Sequence, residues 1–228
     1  MTDLEDAVLN NIAWCGIVCE THGLLQISSE RIWGLHAKAP ELYPDIITSS
    51  RQATSDEVNT LIGNREVFSI KDSFANLNLV PYGFKVLFDA EWIRHDPVTG
   101  GAPVQTEWTV VSTEEDLAKW SNASGLQNIL KPKLLEHKDV KIFLHEYNGE
   151  LSGFIANLSA DAVGISNVFS NGNKQIWSDI APIISRYFPG LKMVGYENCD
   201  GLTEALISGW KTIGPLRVWI KSHTTAAV

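Results

Sequence analysis

The chain has 228 residues, of which 44% are hydrophobic and 20% charged, and its formal net charge is −9. This composition is typical of a globular protein with one large or two small domains, and the negative charge excludes a broad nucleic-acid-binding surface. No apolar run reaches the roughly 18 residues of a membrane span, and the acidic N-terminal segment lacks the basic start of a signal peptide, so the sequence predicts a cytoplasmic protein with no membrane partner.

Two helices are predicted in the first hundred residues. Residues 4–23 form an amphipathic pattern that Gly23 ends, with an apolar stripe of Leu4, Val8, Ile12, Cys15 and Cys19. The two cysteines are therefore expected to be buried free thiols, and no His or Cys pair has the spacing of a metal site. A second, short helix is predicted to start at Ser55 as N-cap and to end near Gly63.

The segment RHDPVTGGAPVQ, Arg94 to Gln105, has two prolines and adjacent glycines without an apolar period, which favours neither helix nor strand. It is predicted as a linker between residues 1–104 and 105–228, or as a long hairpin loop, since strand-like segments flank it. One internal sequence similarity involves the segment before it: GFKVLFDAEWI (83–93) is similar to GWKTIGPLRVWI (209–220) with one insertion. The N-terminal region is then a reduced copy of the second part, or a region that lends strands to its sheet, or the match is due to chance.

After the linker the pattern predicts a strand, short helices and three antiparallel strands over residues 140–170. The dipeptide Asn148-Gly149 is typical of a tight hairpin between the first two of these strands. A helix over 173–188, a strand (LKMVGYE), a helix (DGLTEALISG) and a last strand or pair of strands follow. The sequence thus predicts an α/β (α+β) fold with a mixed, mostly antiparallel sheet flanked by helices.

From Gln105 to Lys221 this order of elements resembles the GNAT acyltransferase superfamily. Asn198 stands at the end of the fifth strand, Gly209-Trp210 falls at the family's Gly-Phe spacing, and GPLRVWIK matches the closing strand. The resemblance implies a GNAT-like domain that uses acetyl-CoA or another acyl-CoA as co-substrate. It also implies acyl transfer to an amine of a small molecule or peptide, by direct attack on the thioester. A homodimer is compatible with the sequence.

The resemblance further implies a cofactor-binding set within ISNVFSNGNKQIW and at Asn198. A strand edge would pair with the pantetheine arm; it consists of Asn167, Val168 and Phe169. A loop at the start of the following helix would donate amides to the pyrophosphate; it consists of Ser170, Asn171, Gly172, Asn173 and Lys174.

Two features depart from the family pattern. The loop keeps one glycine and no arginine of the usual Q/R-x-x-G-x-G/A, and the position of the tyrosine that protonates the departing thiolate holds Ala205. Tyr196 and Glu197, at the end of the fifth strand, are the candidate catalytic acid or base if burial shifts a pKa. Two other hypotheses stay open: a GNAT-like protein that binds CoA or another ligand without catalysis, and a structural or partner-binding protein.

Overall fold

The computed structural model describes residues 1–99, 107–173 and 175–222. Within them the helices are α1 (Asp3–Thr21), α2 (Ser55–Ile62), α3 (Glu114–Ser124), α4 (Ile176–Tyr187) and α5 (Cys199–Ile207). The strands before the predicted linker are β1 (Gln26–Ser28), β2 (Ile32–Leu35), β3 (Ile46–Thr48), β4 (Ser69–Asp72) and β5 (Phe84–His95). Those after it are β6 (Thr109–Val110), β7 (Val140–Tyr147), β8 (Glu150–Ser159), β9 (Ala162–Ser170), β10 (Lys192–Glu197) and β11 (Lys211–Lys221).

These eleven strands form one sheet in the order β1-β2-β3-β4-β11-β5-β10-β9-β8-β7-β6. Two neighbouring pairs, β3 with β4 and β9 with β10, are parallel, and the other pairs are antiparallel. The predicted mixed, mostly antiparallel sheet flanked by helices is therefore confirmed. The predicted meander is confirmed as well, since β7, β8 and β9 pair in sequence and both residues of the Asn148-Gly149 turn have positive φ.

The two similar segments, 83–93 and 209–220, form most of β5 and β11, which pair with each other in the middle of the sheet. Outward from β11 the order is β4, β3, β2 and β1, with α2 between the parallel strands; outward from β5 it is β10, β9, β8 and β7, with α4 between the parallel strands. Strand β11 thus lies beside the parallel pair β3 and β4 of the first hundred residues, and β5 lies beside the parallel pair β9 and β10 of the second part of the chain. The arrangement has a two-fold pattern. The boundary at 104/105 stays a prediction.

The structure corrects the hairpin alternative for the segment after β5. Four strands separate β5 from β6 in the sheet, so the connection between them is not a hairpin. Strand β5 also runs to His95, two residues into the predicted linker, and residues 100–106 lie outside the described residues. The final segment 211–221 is one strand, with a bulge between Thr212 and Gly214.

Helix boundaries differ from the predicted ones by one to three residues, and at the starts of α2 and α4 a side chain away from the apolar stripe decides the boundary. Thr54, not Ser55, caps α2: its hydroxyl accepts from the amide of Glu57, whose carboxylate accepts from the amide of Thr54. His22 rather than Gly23 caps α1. Helix α4 begins at Ile176 instead of residue 173, because the Asn173 side chain accepts from the Gln175 amide in a turn before the helix.

The helices cover both faces of the sheet. Trp33 and Ile47 pack with α1 and α3, whereas their sequence neighbours Ile32 and Ile46 pack on the other face with α2. Helices α4 and α5 share a third apolar cluster, which receives Phe154 from β8. One face is therefore covered by α1 and α3, and the other by α2, α4 and α5. All three cysteines are free thiols, two of them buried in α1.

We expect the fragment 105–228 not to fold alone, because it lacks the 12-residue strand β5 that pairs with both β10 and β11. Without β5 two long strand edges in the middle of the sheet lose their hydrogen-bond partners. Circular dichroism and urea unfolding should show no cooperative transition for this fragment, and co-expression of residues 1–104 as a separate chain should restore one. A cooperative transition of the isolated fragment 105–228 would contradict this expectation.

Candidate functional site

Strands β9 and β10 diverge after three paired residues. Their parallel pairing ends at Gly164 and Val194, whereas β10 stays paired with β5 as far as Glu197, which lies opposite Glu91. Residues 195–197 therefore have one edge bound to β5 and one edge open toward β9. At the point of divergence a Cβ on Gly195 would lie 2.9 Å from the Ile165 carbonyl oxygen, so this close approach requires glycine.

Three neighbouring cavities surround this opening. The central cavity, of about 360 Å³, is lined by Asn11, Trp14, Cys15, Leu42, Tyr43, Pro44, Lys71, Phe88, Ile165, Ser166, Asn167, Val168, Tyr196, Glu197 and Asn198. The slot, of about 340 Å³, lies between β9 and the starts of α4 and α5 and is lined by Val168, Phe169, Ser170, Gly172, Asn173, Ile176, Trp177, Glu197, Gly201 and Glu204. The side cavity, of about 370 Å³, lies over β4, β5 and β11 and shares six lining residues with the central one.

Glu197 lines both the central cavity and the slot. Burial raises the pKa of its carboxyl from 4.5 to about 7, against the opposing hydrogen bond of the Asn198 backbone, while the nearby Glu204 raises it further. Its carboxylate lies against the first turn of α5, where a Cβ on Gly201 would come within 2.6 Å of Oε2. Glu197, one of the two ionisable residues predicted as a candidate acid or base at this strand end, thus has a pKa near neutrality.

A β-bulge shapes the opposite wall of the opening. Ser166 pairs with Ile155 and Phe169 with Gly153, so Asn167 and Val168 stand together opposite Phe154 alone. Asn167 has a φ of +53°, a left-handed conformation that a bulge of this kind imposes. The bulge interrupts the ladder where both residues line the central cavity, which leaves polar backbone groups of β9 for a ligand.

Tyr43, from the loop before β3, reaches the same bulge. Its hydroxyl lies 3.5 Å from Oδ1 of Asn167, at the long limit of a hydrogen bond, and the side chain is buried. Burial raises the pKa of the Tyr43 hydroxyl well above its ordinary value, and the nearby Cys15 and Tyr196 raise it further. The phenol therefore keeps its proton and acts as a hydrogen-bond donor in the central cavity.

Tyr196, the other predicted catalytic residue, lies on the face of the sheet that α1 covers. Its ring packs edge-on against Trp92 with centroids 5.5 Å apart, and the Lys71 ammonium lies 4.2 Å above the ring centroid. Lys71 also donates to Oδ1 of Asn11 at 2.8 Å. Tyr196 and Glu197 thus border one cavity from opposite faces of the strand, because the strand end has no neighbour on the β9 side.

The predicted phosphate loop forms part of the slot wall through Ser170, Gly172 and Asn173, whereas Asn171 does not line the slot. The Asn171 amide donates to the Leu151 carbonyl and is therefore used within the structure, and Ser170 donates to the carbonyl of Asn173. Lys174 lies outside the described residues. The loop precedes the first turn of α4 instead of forming it, and its role in binding phosphate stays a prediction.

Ala205 is fully buried in the cluster of α4 and α5. The position of the family's usual thiol-protonating tyrosine therefore contributes only packing here. Asn198 lines the central cavity and occupies the N-cap position of α5 without a capping hydrogen bond from its side chain.

Sequence analysis placed no residue of the first hundred positions at the site, although several of them line the central cavity. Asn11, Trp14, Tyr43, Lys71 and Phe88 line the central cavity from α1, a loop, β4 and β5. Only one local signal pointed to any of them: Lys71 is a lysine within an apolar strand, followed by the acidic residue Asp72. Their convergence depends on long-range strand pairing, which a local pattern does not encode.

No protein-family model matches the sequence, and no curated protein matches it either. Solved structures resemble it in fold. A protein from Novosphingobium aromaticivorans assigned to the GNAT family of acetyltransferases superposes with a TM-score of 0.58 at 11% identity, over 95% of this chain and 99% of that one. A proposed acetyltransferase from Pyrococcus horikoshii gives 0.50 at 13% identity, over 99% and 88%. A conserved protein of unknown function from Staphylococcus epidermidis gives 0.58 at 10% identity, over 87% and 94%.

The chain therefore has the GNAT fold, as the sequence resemblance implied, and the likeness extends over residues 1–104 as well. Within the described part of the chain no helix is long and apolar enough to span a membrane. In the same residues no three His, Cys, Asp or Glu side chains lie close enough together to hold a metal ion.

The raised pKa of Glu197 predicts a pH-dependent stability. Between about pH 4.5 and 7 the unfolded chain has lost this proton while the folded chain keeps it, so folding becomes less favourable as the pH rises through this window. At about 1.4 kcal/mol per pKa unit, the cost well above pH 7 is on the order of 3–4 kcal/mol, of which about 2–3 kcal/mol develops between pH 5 and 8. Glu197→Gln does not titrate and should gain that much stability relative to the wild type between about pH 5 and 8.

Urea unfolding of both proteins across this pH range measures the difference. Glu136→Gln changes an exposed glutamate in the same way and should leave the gap to the wild type constant. If the Glu197→Gln and Glu136→Gln curves both run parallel to the wild type, the pKa of Glu197 is not raised in the folded protein.

Proposed function

We propose that the protein is an acyl-CoA-dependent N-acyltransferase that transfers an acetyl group to an amine. The observation that carries this proposal is the opening between β9 and β10, where one carboxyl with a pKa near 7 borders both the slot and the central cavity. The slot and the central cavity meet at Val168 and Glu197. A thioester bound along the slot would therefore present its reactive carbon to a second substrate in the central cavity.

The open edges of β9 and β10 suit a ligand with amide groups such as the pantetheine arm. The bulge at Asn167 and Val168 interrupts the ladder of β9, and residues 195–197 lack a partner on the side of β9. Backbone groups in such a place accept or donate hydrogen bonds to an extended ligand in the way an added strand does. The slot beyond them ends at the first turn of α4, where helix amides favour phosphate.

In this arrangement Glu197 takes the proton of the attacking amine in the central cavity. Tyr43, a protonated phenol at the bulge, donates a hydrogen bond to the oxygen on which negative charge develops. The thiol of CoA is a weaker acid than a carboxyl of pKa about 7, since an ordinary thiol has a pKa of about 8.5. Protonated Glu197 can therefore pass its proton on to the departing thiolate.

This route makes a single carboxyl act first as base and then as acid. It needs no tyrosine on α5, and it accounts for the buried Ala205 at that position. Its requirement is that the carboxyl faces both substrates, and among the described residues Glu197 is the ionisable side chain that lines both cavities. Tyr196, which borders the central cavity on the face covered by α1 and does not line the slot, then serves as a wall of the acceptor site.

We expect Glu197→Gln to lower kcat/KM for amine acetylation by about 100- to 10,000-fold, the usual contribution of a general base. The substitution keeps the size of the side chain, so acetyl-CoA should still raise the melting temperature of the variant as it does that of the wild type. The wild-type rate should rise with pH up to about 7, as the carboxylate forms. Thiol release with a panel of primary amines measures the rate, and Glu136→Gln serves as the control.

The outcomes separate the three hypotheses. Stabilisation by acetyl-CoA without amine-dependent thiol release in the wild type supports a binding protein without catalysis. Absence of any stabilisation by acetyl-CoA supports a structural or partner-binding protein and overturns the proposal. Full activity of Glu197→Gln would leave an acyltransferase whose base is another residue.

The phosphate loop is tested with a shorter ligand instead of a substitution, because Gly172 has a φ of +105° and any side chain there would strain the backbone. S-acetylpantetheine lacks the nucleotide and its diphosphate. If the loop and the first turn of α4 bind the diphosphate, calorimetry should find acetyl-CoA bound at least about tenfold more tightly, the effect of a single charge-assisted hydrogen bond. Equal affinities would show that the loop is only a turn.

A further inference from the structure

Lys71 is a buried cation without a carboxylate partner among the described residues. Only 3% of its surface is exposed, yet its ammonium contacts a neutral amide oxygen, Oδ1 of Asn11, and the ring of Tyr196. A buried charge that lacks an opposite charge costs several kcal/mol, so folded proteins usually pair it. Such a group at a cavity wall indicates that a ligand supplies the missing anion.

Two buried carboxylates belong to the same region: Asp45 lines the side cavity together with Lys71, and Asp72 follows Lys71 in β4. Asp45 accepts hydrogen bonds from the amides of Ala39, Phe68 and Ser69. Asp72 accepts from the amides of Phe74 and Leu77. Both carboxylates are buried and bonded to the backbone, and no ion pair joins either of them to Lys71 in the described part of the chain.

The ammonium of Lys71 lies where the central and side cavities meet, since Lys71, Asn11 and Tyr196 border the central cavity and Lys71 and Tyr196 also border the side cavity. Lys38 and Lys221 line the side cavity as well. Glu41 and Asp45 also line this cavity, so its three lysines exceed its carboxylates by one, in a chain whose net charge is −9. This region favours an anionic group on the ligand.

The remaining walls of this junction are apolar. Leu42, Pro44 and Phe88 border both cavities, and Leu87 borders the side cavity. Leu42 and Leu87 are 77% and 53% exposed, so apolar surface faces solvent here and would be covered by an apolar group of a ligand.

We propose that the acceptor amine carries a carboxylate a few atoms from its nitrogen and an apolar side chain, as an apolar α-amino acid does, and that Lys71 and Asn11 bind the carboxylate. A sphere of the central cavity's 360 Å³ is about 9 Å across, which spans two hydrogen bonds of about 3 Å and the short amino-acid backbone between Lys71 and Glu197. The side chain then points past Phe88 into the side cavity. That this ligand is the acceptor of an acyl group rests on the proposed function, whereas the carboxylate site itself is tested by binding alone.

The experiment compares ligands that differ only in the carboxylate. N-acetyl-L-leucine and N-isoamylacetamide are the products from leucine and from the same amine without its carboxylate; N-acetyl-L-phenylalanine and N-phenethylacetamide form a second pair. Calorimetry with the wild type should show the carboxylate member of at least one pair bound at least tenfold more tightly. Lys71→Met keeps the length of the side chain and removes the charge, and it should abolish this preference while binding the neutral member within about threefold of the wild type.

Lys85→Met, which changes an exposed lysine of β5, is the matched control and should keep the preference. Equal affinity of the wild type for both members of each pair, or no binding of any of the four ligands, would overturn the inference without needing a variant. A preference that Lys71→Met retains would overturn the role of Lys71.

Acetyl-CoA binding and amine-dependent thiol release are measured separately, so that failure of the proposed function can be recognised. A carboxylate preference that depends on Lys71 in a protein without turnover would support the carboxylate site and count against the enzyme. Turnover of leucine and isoamylamine at equal kcat/KM would support the enzyme and overturn the carboxylate site.

Discussion

The candidate site depends on the pairing of β10 with β5. The pairing of β10 with β9 ends at Val194. A strand end that lacks one neighbour would ordinarily fray or pair with the nearest free strand edge. Here β5 binds β10 through Glu197, so the end of β10 is held rigid on one side and left open on the other. Because β5 belongs to the first hundred residues, the opening in the second part of the chain is maintained by the first part.

The two parts of the chain that this pairing joins form different walls of the site. The slot is built by β9, α4 and α5, all from the second part, whereas the far wall of the central cavity comes from α1, the Tyr43 loop, β4 and β5. Glu197 lies at the border between them. The bulge at Asn167 and its contact with Tyr43 join the two parts directly at the place where the proposed reaction develops negative charge.

Much of the sheet could be predicted from sequence because its signals are local: the alternation over residues 140–170, the Asn148-Gly149 turn and the apolar stripe of α4 each lie within one element. The GNAT fold and the ionisable end of β10 were predictable for the same reason. The residues that line the central cavity together with Glu197 were not, since Tyr43 and Lys71 reach it through a sheet whose central strand pairs join residues about a hundred or more positions apart. Helix starts were misplaced where a side chain such as that of Thr54 decides the cap.

Two buried or partly buried ionisable groups of opposite charge border the central cavity, yet no ion pair joins Lys71 to Glu197 among the described residues. The strand itself prevents the pairing: Glu197 lies against α5 and Lys71 lies over the ring of Tyr196 on the face covered by α1. Burial of an ionisable group without an opposite charge beside it costs free energy, and natural sequences keep such costs mainly where function requires them. An acceptor with an amine at one end and a carboxylate a few atoms away complements both groups at once, which a simple amine or a simple acid does not.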